Sequence, residues 1–245
     1  MLSIIIPTYN EEGYLPRLLA SIRSQRFDGY EIVVADARST DRTREIAQKF
    51  GARVVDGGMP GPGRNRGAAA AKGDVLLFLD ADVVLPDVEW LGRKMAQFAR
   101  RDLDAATCLV KPMSSNPIDH FSHGVFNAHM MAAQFVMAHA PGFCIFARKT
   151  LHDAINGFDE TIRLAEDHDY VERARHVGKF RVMHGSRIRV SVRRFERDGR
   201  FSIFSKYLLA ELHLLTRGQI RNDRFAYTFG HQKHDVAKDS ARESH

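Results

Sequence analysis

The chain has 245 residues, 44% hydrophobic and 27% charged, which fits one ordinary globular domain of the larger kind, able to bury its core without a staple. Its two cysteines, Cys108 and Cys144, match neither a disulfide framework nor a zinc pattern and point to a reducing, cytoplasmic setting. A net charge of +6 favours anionic partners such as phosphates or acidic lipid surfaces, while the missing aromatic-basic and zinc-finger patterns argue against nucleic acid.

The start, MLSIIIPTYN, has no basic region, and its apolar run is too short for a signal peptide. No stretch reaches the roughly 18 apolar residues of a transmembrane helix, so the expectation is a soluble or membrane-peripheral protein. In chain order, Ser3–Pro7 reads as a compact strand. Asn10-Glu11-Glu12 then caps a helix whose apolar face is Leu15, Leu18, Leu19 and Ile22. Glu31–Ala35 is the next strand, Thr40 or Asp41 caps a helix running to about Phe50, and Arg53–Val55 is a third strand. Gly57–Gly67, with five glycines and two prolines, reads as a loop leading into the helix-favouring Ala68–Ala71. Val75–Leu79 is a continuous apolar run, the mark of a strand buried on both faces. Strands alternating with helices predict an α/β fold with a mostly parallel central sheet.

The second half is less regular. Asp119–Ala138 predicts a helix, Gly142–Ala147 a strand, and Glu166–Gly178 a helix closed by glycine. Phe180–Met183 and Ile188–Val192 predict two further strands, and Phe201–Arg217 an amphipathic helix with Phe201, Phe204, Leu208, Leu212 and Leu215 on one face. The expected organisation is a single domain over residues 1–229 with a polar, frayed tail from Gly230.

Ligands of open α/β sheets bind at the carboxyl ends of the strands. Two strands here end in acid: EIVVA runs into Asp36, and VLLFL into Asp80-Ala81-Asp82. In extended geometry Asp80 and Asp82 face the same side. Two carboxylates about 5 Å apart repel by about 3 kcal/mol at an effective dielectric of about 20, and a hard divalent cation such as Mg²⁺ or Mn²⁺ would offset that. The plainer reading is that Asp82 caps a turn before Pro86 and faces solvent. Glu166-Asp167-His168-Asp169 opens a helix, where the dipole alone favours acid; the functional reading is a carboxylate that takes the proton of an attacking hydroxyl.

Taken together, SIIIPTYNEE, VVADARSTD, GPGRNRGAAAAKGD running into VLLFLDADVVLP, GFDE and AEDHD, in that order over about residues 2–195, resemble the inverting family 2 glycosyltransferases of the GT-A fold. The resemblance implies a Rossmann-like sheet with flanking helices, a nucleotide-diphosphate-sugar donor and a divalent cation, Mn²⁺ or Mg²⁺. It implies Pro7 and Tyr9 at the donor nucleotide, Asp36 at its base or ribose, and Arg64 and Gly67 lining the nucleotide cleft. Asp80 would meet ribose or metal, Asp82 would ligate the metal, Asp167 would be the general base, and Glu166 would position the hydroxyl acceptor or assist. His184 stands where some relatives place a histidine near the metal.

Two departures stand out. Many relatives carry paired aspartates followed by glycine where this chain has Asp36-Ala37-Arg38. The Q-x-x-R-W signature of processive relatives has as its nearest match Ser191-Val192-Arg193-Arg194-Phe195, which favours addition of one sugar over polymerisation. Arg187, Arg189 and Arg193 alternate along a presumed strand face; this is either a solvated basic face or a means for Arg193 or Arg194 to approach a diphosphate. His120, His123, His129 and His139 read as surface or acceptor-pocket residues rather than ligands. The segment 201–217 is ordinarily core, the alternative being peripheral contact with an anionic membrane that holds a lipid-linked acceptor. A nucleotidyltransferase would need a glycine-rich, lysine-bearing loop after the first strand, where PTYNEEG stands instead. A catalytically silent nucleotide-sugar-binding module need not keep both Asp82 and Asp167.

Overall fold

A computed structural model of the protein describes residues 1–135, 138, 140–162 and 164–200. The segment 201–217, the tail from Gly230 and His139 therefore lie outside the described residues. Strands β1 (Leu2–Thr8), β2 (Tyr30–Asp36), β3 (Arg53–Asp56) and β4 (Val75–Leu79) pair in parallel in the order β3-β2-β1-β4. Helices α1 (Leu15–Arg23), α2 (Thr43–Lys49) and α3 (Pro60–Ala70) connect them. Because the chain steps outward from β1 to β3 and returns to the far side of β1, α1 and α2 cover one sheet face and α3 the other. The core divides accordingly. Leu2, Ile4 and Ile6 pack with the apolar face of α1, whereas Ile5 packs with Ala68 of α3.

The glycine-rich stretch read as a loop is the helix α3. Pro60 opens it, where a missing N–H costs nothing, and Gly63 and Gly67 lie one turn apart on the face against the sheet. A Cβ at Gly63 would come within 3.2 Å of Pro7 Cβ, and one at Gly67 would collide with Ile5 Cγ2. These glycines allow helix and sheet to approach closely. Asn10 does not cap α1 either: it adopts φ 54 and its side chain accepts from the Thr40 N–H at 2.9 Å, tying the loop after β1 to the loop after β2.

Beyond β4 the chain forms β5 (Val83–Val84), α4 (Trp90–Arg100), β6 (Ala105–Pro112) and α5 (Pro117–Ala133). It continues through β7 (Cys144–Arg148), α6 (Lys149–Ala154), α7 (Glu166–Val177), β8 (Phe180–Val190) and α8 (Arg193–Asp198). The eight-stranded sheet runs β3-β2-β1-β4-β7-β6-β8-β5, mostly parallel, with β7 antiparallel to β4 and β6, and β5 antiparallel to β8. The two strands expected over 180–192 are one strand, bent where its register against β6 shifts and Gly185 takes φ 90. Helix α5 starts where Asn116 accepts from the Ile118 N–H at 2.9 Å and Pro117 follows. Cys108 and Cys144, distant in sequence, occupy the adjacent antiparallel strands β6 and β7; both are free and buried, and burial pushes the Cys144 thiol well up. Among the described residues no helix is long and apolar enough to cross a membrane.

Behind the sheet, Phe158 stacks on Tyr170 at 4.0 Å, Phe78 meets both edge-on, and His152 Nδ1 lies 3.0 Å from the Tyr170 hydroxyl. Burial pulls the His152 imidazole down to about 4. In the fold it stays neutral where the unfolded chain, near 6.5, takes up a proton. Stability is therefore expected to fall between about pH 6.5 and pH 4, by about 3 kcal/mol in all. Urea unfolding at pH 7 and pH 4.5 should show His152→Gln to be distinctly less acid-sensitive than the natural chain. In the same assay Gly67→Ala should lose about 1–3 kcal/mol at either pH through overpacking on Ile5.

Candidate active site

The carboxyl ends of β1, β2 and β4 open at the point where strand order reverses. Asp80 follows β4 directly, and the chain then turns through Ala81 and Asp82 into β5. The two aspartates are thus separated by a turn rather than borne on one extended strand as expected, and each meets its own arginine.

Arg64 reaches from α3 into the gap and is almost fully buried. Its Nη1 donates to Glu166 Oε1 at 2.7 Å, and its Nη2 to Asp80 Oδ1 at 2.9 Å and to the Gly142 carbonyl at 3.2 Å. The guanidinium lies 5.3 Å from the centre of the Phe158 ring, and Nε has no hydrogen-bond partner among the described residues. Burial works against its charge, but Asp80, Glu166 and Asp167 outweigh that and raise its pKa. Burial also pushes the Glu166 carboxyl up, with Asp167 adding to the effect and Arg64 opposing it. Asp167 accepts from the Gly142 N–H at 2.5 Å through Oδ2 and from the His168 N–H at 2.9 Å through Oδ1. Gly142 therefore sits between the base candidate and the arginine. A Cβ there would lie 2.5 Å from Arg64 Nη2 and 3.1 Å from Asp167 Oδ2.

Two local devices aim these groups. Ala165, just before α7, takes φ 64, a left-handed conformation costing about 1 kcal/mol for a residue other than glycine. Asn65, beside Arg64 on α3, holds both the N–H and the carbonyl of Phe158 at 2.8 Å, and so fixes the ring under the guanidinium. Asp169 has a different duty: it pairs with Arg173 at 2.7 Å, whose other nitrogens hold the carbonyls of Ile155 and Gly157. Asn65, Phe158 and Gly142 were not singled out from the sequence, although the GPGRNRG and GFDE strings contain the first two.

Asp82 is met by Arg193, Nε to Oδ2 at 2.8 Å. The same guanidinium spans Glu11, with Nη1 at 3.0 Å and Nη2 at 3.2 Å from its two oxygens, and lies 4.8 Å from the Tyr14 ring. Arg193 opens α8 and does not share a strand face with the exposed Arg187 and Arg189; it reaches Asp82 and Glu11.

Other expected residues divide. Pro7 lies beside Gly63 at the end of β1, and Tyr9 is exposed just beyond it. Asp36 is fully buried: it accepts from Thr8 Oγ1 at 2.9 Å, the Ser39 N–H at 3.0 Å, Ser39 Oγ at 2.6 Å and Arg44 Nη1 at 3.3 Å. Its carboxylate locks the β1–β2 junction instead of facing the cleft. Arg38 takes φ 63, the conformation glycine adopts most easily, at the place where the resemblance expects glycine. Gly67 is a packing residue on Ile5 and does not line the cleft. His184 is exposed beside α4, its carbonyl accepting from Lys94 Nζ at 2.7 Å; six residues of β8, roughly 20 Å of strand, separate it from Ser191, which bonds Asp82. It does not join the aspartates. His120 and His123 contact the carbonyls of Ser114 and Asp119, each at 2.7 Å.

Asp80 and Asp82 are hard oxygen donors, and neither Asp80 Oδ2 nor Asp82 Oδ1 makes a hydrogen bond among the described residues. This suits an ion of the Mg²⁺ or Mn²⁺ kind, which is held by one or two carboxylates plus ligand phosphates. Among the described residues no cluster of three or more histidine, cysteine, aspartate or glutamate side chains forms a metal site by itself.

A sequence model of glycosyl transferase family 2 matches residues 3–155. The chain is 38% identical over 90 residues to the poly(ribitol-phosphate) beta-N-acetylglucosaminyltransferase TarS of Staphylococcus aureus, a match covering 33% of this chain and 16% of that protein. Residues 1–349 of S. aureus TarS in complex with UDP-GlcNAc superpose with a TM-score of 0.65 at 24% identity, over 78% of this chain and 58% of that one. The mannosyltransferase PcManGT of Pyrobaculum calidifontis, in complex with GDP-Man and Mn²⁺, superposes with a TM-score of 0.61 at 17% identity, over 99% of this chain and 74% of that one. These likenesses identify the fold as GT-A.

Replacing Arg64 by glutamine leaves two partly buried carboxylates without their shared counter-ion, and a loss of about 3–5 kcal/mol is expected in urea unfolding. Adding Glu166→Gln should recover part of that loss, and a double-mutant cycle yielding no coupling between the two positions would contradict the bridge.

Proposed function

Because the chain belongs to glycosyl transferase family 2 and is a glycosyltransferase, we propose that it moves one sugar, with inversion and with help from a divalent cation, from a nucleotide-diphosphate-sugar to a hydroxyl acceptor. The observation that carries this reading is the convergence of Asp80, Glu166 and Asp167, from separate stretches of chain, on the Arg64–Gly142 pair at the strand ends. The complexes of the structural relatives with UDP-GlcNAc and with GDP-Man and Mn²⁺ support a nucleotide-sugar donor and a divalent ion.

In this reading Asp80 and Asp82 would hold the ion beside the donor diphosphate. When bound, the ion supplies Lewis-acid stabilisation of the departing nucleoside diphosphate. Asp167 takes the proton of the acceptor hydroxyl as that oxygen bonds to the anomeric carbon and the bond to the diphosphate oxygen breaks on the opposite face. Gly142 holds the Asp167 carboxylate by one oxygen. Glu166, kept in place by Arg64, orients the acceptor. Pro7 and Tyr9 border the donor nucleotide, and Arg194 approaches its phosphates. Residues 1–229 act as one domain, and the missing Q-x-x-R-W signature favours a single transfer.

Incubating the protein with UDP-, GDP- and dTDP-sugars plus Mn²⁺ or Mg²⁺ should release a nucleoside diphosphate, and both EDTA and Asp82→Ala should abolish that release. Failure to bind any member of this panel defeats the reading. Once turnover is measured, Asp167→Asn should lower kcat by about 10²–10⁴-fold with donor affinity little changed. Arg194→Ala should raise the donor KM while leaving kcat near that of the natural chain; unchanged kinetics would remove Arg194 from the donor site.

A further inference from the structure

One guanidinium, that of Arg193, serves two mostly buried carboxylates that follow the ends of two adjacent strands, β1 and β4. Asp82 lies in the turn after β4, and Glu11 in the loop after β1. The Arg193 side chain is itself only 15% exposed. Two acids brought this close and shielded from water need a cation, and the Arg193 guanidinium supplies it. Arg193 is held by backbone as well as by charge. Its own N–H donates to Ser191 Oγ at 3.1 Å, and the Ser191 N–H donates to the Asp82 carbonyl at 3.2 Å, so the arginine is mounted on the turn that carries its partner.

From this arrangement we propose that Arg193 is a resident counter-ion of the donor site: its guanidinium neutralises Asp82 and Glu11 while no donor is bound, and it vacates Asp82 when a divalent ion is taken up there. The inference rests on the proposed role of Asp82 toward the ion and assigns two further residues to it. Arg193 is the charge that competes with the ion, and Glu11 is the carboxylate that keeps the arginine at hand once Asp82 is given up. The chemistry matches on both sides. The carboxylate that binds the guanidinium through one oxygen is the one that would ligate the ion, while the carboxylate gripped through both oxygens is the one that would retain the arginine. Bare Mn²⁺ therefore binds weakly, because it must displace a charge-assisted pair. A diphosphate brings its own negative charge and compensates for that displacement, so ion and donor bind cooperatively.

The test is a titration of Mn²⁺ into nucleotide-free full-length protein, with the free ion followed by electron paramagnetic resonance. Arg193→Gln keeps donors for Glu11 and loses the charge, and Arg193→Ala loses both. Each folded variant should bind Mn²⁺ at least tenfold more tightly than the natural chain, and a second substitution, Asp82→Asn, should abolish the gain. Thermal unfolding gives an independent readout: Mn²⁺ should raise the Tm of Arg193→Gln more than that of the natural protein. Equal or weaker Mn²⁺ binding by Arg193→Gln overturns the exchange. If the natural chain then still binds Mn²⁺ in the presence of UDP in an Asp82-dependent way, the donor reading stands and only the exchange is lost. If it binds Mn²⁺ neither with UDP nor with GDP, both fall together.

Discussion

Arg64 joins four parts of the chain: the helix it grows from, the end of β4 at Asp80, the residue Gly142 before β7, and the first turn of α7 at Glu166. A guanidinium suits this position because its nitrogens lie in one plane and fork toward separate acceptors, whereas an ammonium would offer a point charge. It can come so close only because α3 lies directly on the sheet through Gly63 and Gly67, and because Gly142 has no side chain. The aromatic cluster of Phe158, Tyr170 and Phe78 supports it from below. Loss of any of these supports would release the acids to repel one another.

The charge pattern of the cleft follows a simple rule, since each of two arginines answers two carboxylates. Arg64 is locked in by burial and a backbone carbonyl, and it belongs to the permanent frame. Arg193 stands on the short helix α8, beside Asp82 and Glu11. The two guanidinium groups thus divide the work, one fixing Asp80 and Glu166 and the other holding Asp82 and Glu11.

Much of the frame was legible in the sequence because its signals are local. The apolar runs of β1, β2 and β4 and the heptad-like face of α1 each need only a few neighbours to be recognised, and strands alternating with helices already implied the parallel sheet. Where a side chain's duty depends on distant partners, the sequence was silent or misleading. The glycines of α3 look like loop residues until Ile5 and Pro7 are placed beneath them. Asp36 looks like a nucleotide contact until Thr8, Ser39 and Arg44 surround it. His184 matches a ligand only by its place in the order of motifs, and the bend in β8 leaves it against α4. Asp80, Glu166 and Asp167 stand at strand and helix ends, where the sequence put them. Arg64 was named for the nucleotide cleft and not as their partner, Asn65 sat unremarked inside the same glycine-rich motif, and Gly142 carries no motif at all.

The edge strand β5 is only two residues long and borders β8 alone, pairing Val83 with Val190 and Val84 with Arg189. Asp82 therefore takes its bearings from chain more than a hundred positions downstream, beyond the bend at Gly185. Lengthening or shortening that outer arm would tilt the acidic turn even if every residue of the turn were retained.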